Sequence, residues 1–217
     1  TPTERSAAAS SRWRRAARTS SRAVMNTLTV NLHLLMVSFY KPQPKKFKII
    51  CEAKAFPSDQ YMMQSQVQFH GYNPDEAIVE IHRREGEHNL RLEDILAKIE
   101  ELGDELALVL IGGLNYYTGQ VFDMKTITEA GHKVGAYVGW DLAHAAGNIE
   151  LELNKWGVDF AAWCTYKYLN SGPGSLGGLF VHEKHAYNKH LKRFAGWWSH
   201  NKSTRFNNPV KSRTINH

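Results

Sequence analysis

The sequence predicts an α/β protein with a mostly parallel sheet flanked by helices. Two observations carry that reading. Apolar strand-like runs alternate with segments of helical spacing along most of the 217 residues, the pattern of a sheet covered by its own crossover helices. One run, Leu106-Ala-Leu-Val-Leu-Ile111, is continuously apolar rather than alternating, as expected of a strand buried on both faces.

The elements follow in order. Asn26 to Tyr40 is predicted as a helix, with Asn26 or Thr27 at its cap. Lys45 to Glu52 is a strand with a charged entry, and Pro57 and Ser58 start a second helix running to Val67. Leu92, Ile95, Leu96, Ile99 and Leu102 are spaced as one helical face. Leu106–Ile111 is the buried strand. Thr126 to Lys133 is a short helix, Val134 to Trp140 a strand, and Leu151 to Trp156 a helical or turn segment. Asp159 to Thr165 and Gly177 to His182 complete the strands. In such a sheet, ligands bind beyond the carboxyl ends of the strands.

Composition narrows the function. The net charge is +6, but residues 1–24 hold six arginines and one glutamate, so the basic excess sits in a low-complexity tail of Ser, Ala, Thr and Arg. A tail without apolar periodicity does not offset the entropy of ordering. It reads as disordered or artefactual, with an organellar transit peptide as the alternative. The remainder is nearly neutral. No nucleic-acid partner is expected, since only Trp13 interleaves with the tail's basic residues. The longest apolar run, Leu28 to Tyr40, is too short for a bilayer and contains Asn31 and His33, so no membrane is expected either. Two cysteines in apolar surroundings, Cys51 and Cys164, do not make a disulfide framework and suit a reducing, cytoplasmic compartment.

The chemistry concentrates at two strand ends. Ala136-Tyr-Val-Gly-Trp-Asp141 ends on a carboxylate, and Ala161-Ala-Trp-Cys-Thr-Tyr-Lys167 ends on a lysine between two tyrosines. A partly desolvated lysine favours its neutral amine, and a neutral amine bonds covalently to an aldehyde cofactor. An aspartate that keeps a pyridine nitrogen protonated lets the ring act as an electron sink. Together these are the needs of pyridoxal 5'-phosphate (PLP). A snorkelling lysine and a capping aspartate are the plainer alternatives. His144 falls on Asp141's side of a turn. Thr27-Leu28-Thr29 at a helix start offers a phosphate site, though the residues alone favour simple capping. Gly172-Pro-Gly174-Ser-Leu-Gly177 matches a dinucleotide-binding spacing but is followed by a strand rather than a helix; its glycines serve a sharp turn behind Lys167. His182-Glu-Lys-His185 has its histidines three apart rather than four, so no metal site is expected.

These motifs are set among others: Asn26-Thr-Leu-Thr-Val-Asn-Leu-His33, Glu52-Ala-Lys-Ala-Phe-Pro-Ser-Asp59, Tyr117-Thr-Gly-Gln120, Gly139-Trp-Asp-Leu-Ala-His144, Trp156-Gly-Val-Asp-Phe160, Tyr166-Lys-Tyr-Leu-Asn170 and His182-Glu-Lys-His-Ala186. In that order and at that spacing, from about Val24 to about Phe206, the chain resembles kynureninase. The resemblance implies the large domain of a PLP-dependent, transferase-like fold over residues 25–206, truncated at both ends, with an irregular tail over 207–217. It implies hydrolysis of L-kynurenine or 3-hydroxykynurenine to an anthranilate and L-alanine, in tryptophan catabolism and NAD biosynthesis, by a homodimer. The alternative is an inactive fragment that at most binds PLP; a cysteine desulfurase or aminotransferase would share only the Asp and Lys.

The resemblance also implies roles. Lys167 holds PLP covalently and shuttles protons. Asp141 pairs with the ring nitrogen, and His144 lies beside the cofactor. Phe56 stacks on the ring, Leu28 and Thr29 bind phosphate, and Pro57, Ser58 and Asp59 complete the pocket. Tyr166 hydrogen-bonds the phosphate, and Trp197 reaches in from the other subunit. Gly112 departs from the family, which often has a hydroxyl residue there.

Overall fold

The computed structural model describes residues 22–196 together with 199, 202, 203 and 206. The described chain opens with a short strand, β1 (Arg22–Val24), followed by α1 (Leu28–Phe39), β2 (Lys48–Glu52) and α2 (Pro57–Phe69). A single helical turn, α3 (Pro74–Ala77), leads into β3 (Ile78–Ile81). Then come α4 (Leu92–Leu102), β4 (Leu106–Gly112), α5 (Met124–Lys133) and β5 (Tyr137–Asp141). Two strands, β6 (Phe160–Cys164) and β7 (Gly177–Val181), close the sheet.

The seven strands lie in the order β1-β7-β6-β5-β4-β2-β3. Pairing is parallel from β3 through β6, and β7 runs antiparallel to both of its neighbours. The expected mostly parallel sheet is therefore present, with one reversed strand near its edge. Helices α1 and α2 cover one face: Leu32, Leu35, Met36, Met62, Met63 and Val67 pack on Ile49, Leu108 and Leu110. On the other face, Ile95, Ile99 and Ile127 from α4 and α5 pack on Ile50, Val109, Ile111 and Val138. The alternation of Ile49 and Ile50, or Leu110 and Ile111, between the two cores is the period-two pleat. Burial on both faces explains why β4 shows no polar alternation.

Several boundaries differ from the sequence reading. Arg22, Ala23 and Val24, assigned to the tail, form β1, with Arg22 opposite Phe180 and Val24 opposite Gly178. The backbone of β7 supplies the order that this short segment lacks by itself. Residues 143–148 form turns, so Asp141 caps no helix, while Leu151 to Trp156 takes the turn form of its helical-or-turn expectation. Helix α3 and strand β3 went unread because Ile78-Val-Glu-Ile81 is short and half-exposed. Residues 1–21 and 207–217, which hold most of the two predicted tails, lie outside the described residues. Among the described residues no helix is long and apolar enough to cross a membrane.

Close backbone approach dictates two glycines. A Cβ on Gly139 in β5 would stand 2.1 Å from the Phe160 ring, and one on Gly178 would stand 2.4 Å from the Trp163 ring. Each large aromatic of β6 uses the gap beside a glycine on a neighbouring strand.

The opposite end of the sheet from the strand carboxyl ends is held by one buried carboxylate. Asp159, 2% exposed, accepts hydrogen bonds from His132 Nε2 at 2.8 Å, His185 Nε2 at 2.8 Å and the Val138 amide at 2.8 Å. Lys184 Nζ adds an ion pair at 2.7 Å. This is what the His182-to-His185 segment does: His185 reaches Asp159, and His182 Nε2 meets the Asn154 carbonyl at 3.2 Å. Burial opposes ionisation of Asp159, but the His132, His185 and Lys184 contacts outweigh it and depress its pKa well below the usual carboxylate range. A depressed carboxylate contributes stability above its unfolded pKa of about 3.9 and loses it as pH falls through the folded value. Asp159→Asn is expected to cost about 3 kcal/mol in urea unfolding at neutral pH, the lower end for breaking a buried pair because Lys184 and His132 keep contact with water. The deficit against the parent should narrow as pH falls below about 4; a deficit unchanged by acid would contradict this account.

Candidate active site

Four adjacent strands end on one cavity of about 500 Å³. The last residues of β2, β4, β5 and β6 are Glu52, Gly112, Asp141 and Cys164, and all four line it. The parallel register brings them together, with Gly112 opposite Asp141 and Asp141 opposite Ala162.

The wall beside them is the start of α1. Thr27 caps the helix, its hydroxyl accepting from the Val30 amide at 3.4 Å, which settles the Asn26-or-Thr27 alternative. Asn26 instead takes a left-handed conformation, φ 52°, and turns the chain from β1 into the helix. The fully buried Asn31 fixes this turn by donating to the Met25 carbonyl at 2.8 Å. A Cβ on Gly177 would lie 3.2 Å from the Leu28 nitrogen, so the absent side chain lets the helix start close on β7. Thr27, Leu28 and Thr29 thereby line the cavity with the positive end of a helix that has no acidic residue in its first turn.

Lys167 stands three residues beyond β6 on a pinned loop. The Ser171 amide donates to the Thr165 carbonyl at 3.1 Å, and the Asn170 amide to the Lys167 carbonyl at 3.0 Å. The Thr165 hydroxyl bonds Ser175 Oγ at 3.0 Å and the Leu176 carbonyl. Gly172 and Gly174, at φ 85° and 74°, make the sharp turn expected behind the lysine. The half-buried amine lies 5.8 Å from the Phe56 ring centre and 5.5 Å from that of Tyr166. Phe56 in turn meets Tyr116 edge-on at 5.2 Å.

Opposite the amine, the floor is acidic. Asp141 accepts from the Ala143 amide at 2.8 Å and shares a hydrogen bond with Asp59, a 7% exposed residue of α2. Burial raises both carboxyl groups. Asp59 is raised further by the Asp141 and Glu52 charges, while Asp141 is held down by its bond to Asp59, the Ala143 amide, Lys167 and His144. The two carboxyls therefore share one proton across their hydrogen bond. Glu52 is raised to about 7, chiefly by burial. Burial and the neighbouring Lys167 lower the His144 pKa, partly offset by Asp141, so its ring is neutral at neutral pH. Burial, then the Cys164 thiol, raises Tyr166, which keeps its hydroxyl a donor.

Of the residues singled out from sequence, the cavity brings together Leu28, Thr29, Phe56, Ser58, Asp59, Asp141, His144, Tyr166 and Lys167. Pro57 is not among the lining residues; it is exposed at the first turn of α2, where its fixed φ starts the helix. Trp197 lies outside the described residues. Sequence reasoning missed Glu52, Cys164 and Tyr116 as wall residues. Glu52 had a legible signal, a charged residue closing the apolar run Ile49-Ile-Cys51 as Asp141 closes its own strand.

Asp59 gives a stability prediction. A carboxyl whose folded pKa is raised contributes fully below its unfolded value of about 3.9 and progressively destabilises as pH rises through the folded value. Asp59→Asn is expected to gain about 1 kcal/mol at neutral pH, the usual scale when a strained site is relieved, and to gain more as pH rises. Thermal unfolding across that pH range checks it; a loss at every pH would contradict the proton-sharing pair.

Comparison with known proteins follows this geometry. The sequence matches the Aminotransferase class-V family over residues 27–201. A curated kynureninase of Flavobacterium johnsoniae is 78% identical over 183 residues, 84% of this chain and 43% of that one. The Mus musculus kynureninase is 56% identical over 193 residues, 89% of this chain and 41% of that one. The chain thus spans less than half the length of these relatives. Among solved structures, the cystine C-S lyase C-DES superposes with a TM-score of 0.68 at 19% identity, over 83% of this chain and 46% of its own. The Escherichia coli cysteine desulfurase CsdA gives 0.67 at 18% identity, over 89% and 47%. At these identities the two structures establish the fold alone.

Proposed function

Because the chain belongs to the aminotransferase class-V family, we propose that it is the cofactor-binding part of a PLP enzyme that hydrolyses L-kynurenine or its 3-hydroxy form to an anthranilate and L-alanine. One observation carries the cofactor reading: an amine, Lys167, faces a carboxylate, Asp141, across a cavity whose wall is a helix start. The charge layout suits this ligand. An anionic phosphate is favoured at the start of α1 and a cationic ring nitrogen at the Asp59–Asp141 floor. The choice of kynurenine is supported by the kynureninase relatives, 56% to 78% identical in this segment.

When bound, PLP supplies an electron sink beside the substrate's α-carbon. The rest falls to residues of this chain. Lys167 would hold the cofactor's aldehyde group and would take and return protons beside it. Ionised Asp141, held by Asp59 and the Ala143 amide, keeps the proton on the ring nitrogen. Phe56 stacks on the ring. The amides of Leu28 and Thr29, with the Tyr166 hydroxyl, grip the phosphate, and Ser58 steadies Asp59 through a hydrogen bond of 3.3 Å. Neutral His144 donates to the cofactor or substrate without adding charge. Gly112 brings no hydroxyl to this wall.

The protein acts as a homodimer in the cytoplasm in this reading. Exposed aromatic residues at the cavity mouth, among them Phe56, Tyr116 and Tyr166 at 46%, 40% and 51% exposure, support a partner there. Two free, buried cysteines support a reducing compartment.

The test is a substrate panel on the longer protein that carries this segment, loaded with PLP. Fluorescent anthranilate should form from L-kynurenine, and Lys167→Ala should lower kcat at least ~10³-fold, the scale of losing a covalent and proton-transfer residue. Sulfide release from cysteine, or amino transfer to a keto acid, with no anthranilate would contradict the assignment in favour of the desulfurase or aminotransferase reading.

A further inference from the structure

Glu52 ends β2 and is 5% exposed, yet among the described residues no cation pairs with it. Both carboxyl oxygens face the Gly112 amide at 3.2 Å each, and the backbone amide of Glu52 itself is a second donor. A Cβ at position 112 would stand 3.0 Å from Glu52 Oε1. A side chain at position 112 would crowd the Glu52 carboxyl. Two backbone amides leave acceptor sites of an ionised carboxylate empty, whereas a neutral carboxyl has an O–H to donate. The cavity is the open side on which that donor can find an acceptor.

The groups facing Glu52 are acidic on every element packed against it: Asp59 from α2, Asp141 from β5, Glu80 from β3, and the Cys51 thiol on its own strand. Lys167, the cation nearest this floor, acts on Asp141. We propose that Glu52 is a positioning residue whose proton sets the charge of the Asp59–Asp141 pair and, through it, the pocket's grip on a cationic ring nitrogen. Only the last step rests on the PLP reading.

Energetics agree with the geometry. Burial pushes the carboxyl up to about 7, with its own backbone amide and the Gly112 amide opposing the rise and the Asp141 and Glu80 charges adding to it. With Glu52 neutral, the three carboxyls hold two protons and one negative charge. Ionised Glu52 adds a second charge, which ties the remaining proton more tightly between Asp59 and Asp141. A cationic ring arriving beside them draws the proton off Glu52 and releases it to solvent.

Two measurements on the 217-residue chain test this. The first needs no cofactor: infrared titration with isotope-labelled glutamate. One protonated glutamic acid should persist past the ordinary range of about 4.3, ionise near 7, and be absent in Glu52→Gln. If every glutamate titrates in the ordinary range, the proposal fails. The second is PLP affinity against pH. The parent should tighten relative to Glu52→Gln as pH rises from about 6 to about 8, by roughly fivefold if the bound ring lowers the Glu52 pKa by about one unit. Parallel profiles would overturn the link to the pair even with Glu52 titrating near 7. If the parent binds no PLP at any pH, the cofactor reading falls, and the infrared titration still decides the protonation of Glu52. Should Glu52→Gln fail to fold, proton release on PLP binding by the parent, compared in buffers of different ionisation enthalpy, provides the second measurement; release of no proton near neutral pH would count against the proposal.

Discussion

Everything at the functional end of this protein depends on buried negative charge facing one lysine. A parallel sheet delivers its strand ends to a single edge, and here the ends on either side of β4 are carboxylic, Glu52 and Asp141, with Asp59 brought alongside by α2. Three carboxyls in a half-enclosed site cannot all ionise cheaply. Sharing a proton between Asp59 and Asp141, and opposing Asp141 with Lys167, makes the arrangement tolerable. The loop that carries Lys167 is correspondingly pinned by backbone bonds and by the Thr165–Ser175 contact.

The other end of the sheet solves a similar problem in the opposite way. Asp159 is as buried as Glu52 and Asp59, but two histidines, a lysine and a backbone amide satisfy it. It is depressed and structural, whereas the cavity carboxyls are raised and under-satisfied. A fully satisfied buried carboxylate stabilises a fold, while an incompletely satisfied one is held ready to respond to a ligand. One sheet carries both, separated by the length of its strands.

Much of this was legible in the sequence. The run Leu106–Ile111 fixed a doubly covered strand, and the spacing of Leu92, Ile95, Ile99 and Leu102 fixed α4 to its ends. Asp141 and Lys167 were readable as strand-end chemistry because a charge after an apolar run is conspicuous. What stayed hidden depended on tertiary partners. The strand at Arg22 exists through pairing with β7, the reversal of β7 has no local signature, and the missing helix after Asp141 gives way to a turn. Glu52 closes its apolar run as Asp141 does, but its role depends on Gly112 of another strand. Pro57 was assigned to the pocket by its neighbours in sequence, but in space it only starts the helix.

The central claim is that the lysine between two tyrosines and the strand-end aspartate form one cofactor site. The most direct measurement is to add PLP to the purified chain, reduce with borohydride and map the labelled peptide, in the parent and in Asp141→Ala. A visible absorption band whose label lies on Lys167, with both band and label altered when Asp141 is removed, is the predicted result. Label scattered over exposed lysines such as Lys125 and Lys155, indifferent to Asp141, would contradict it.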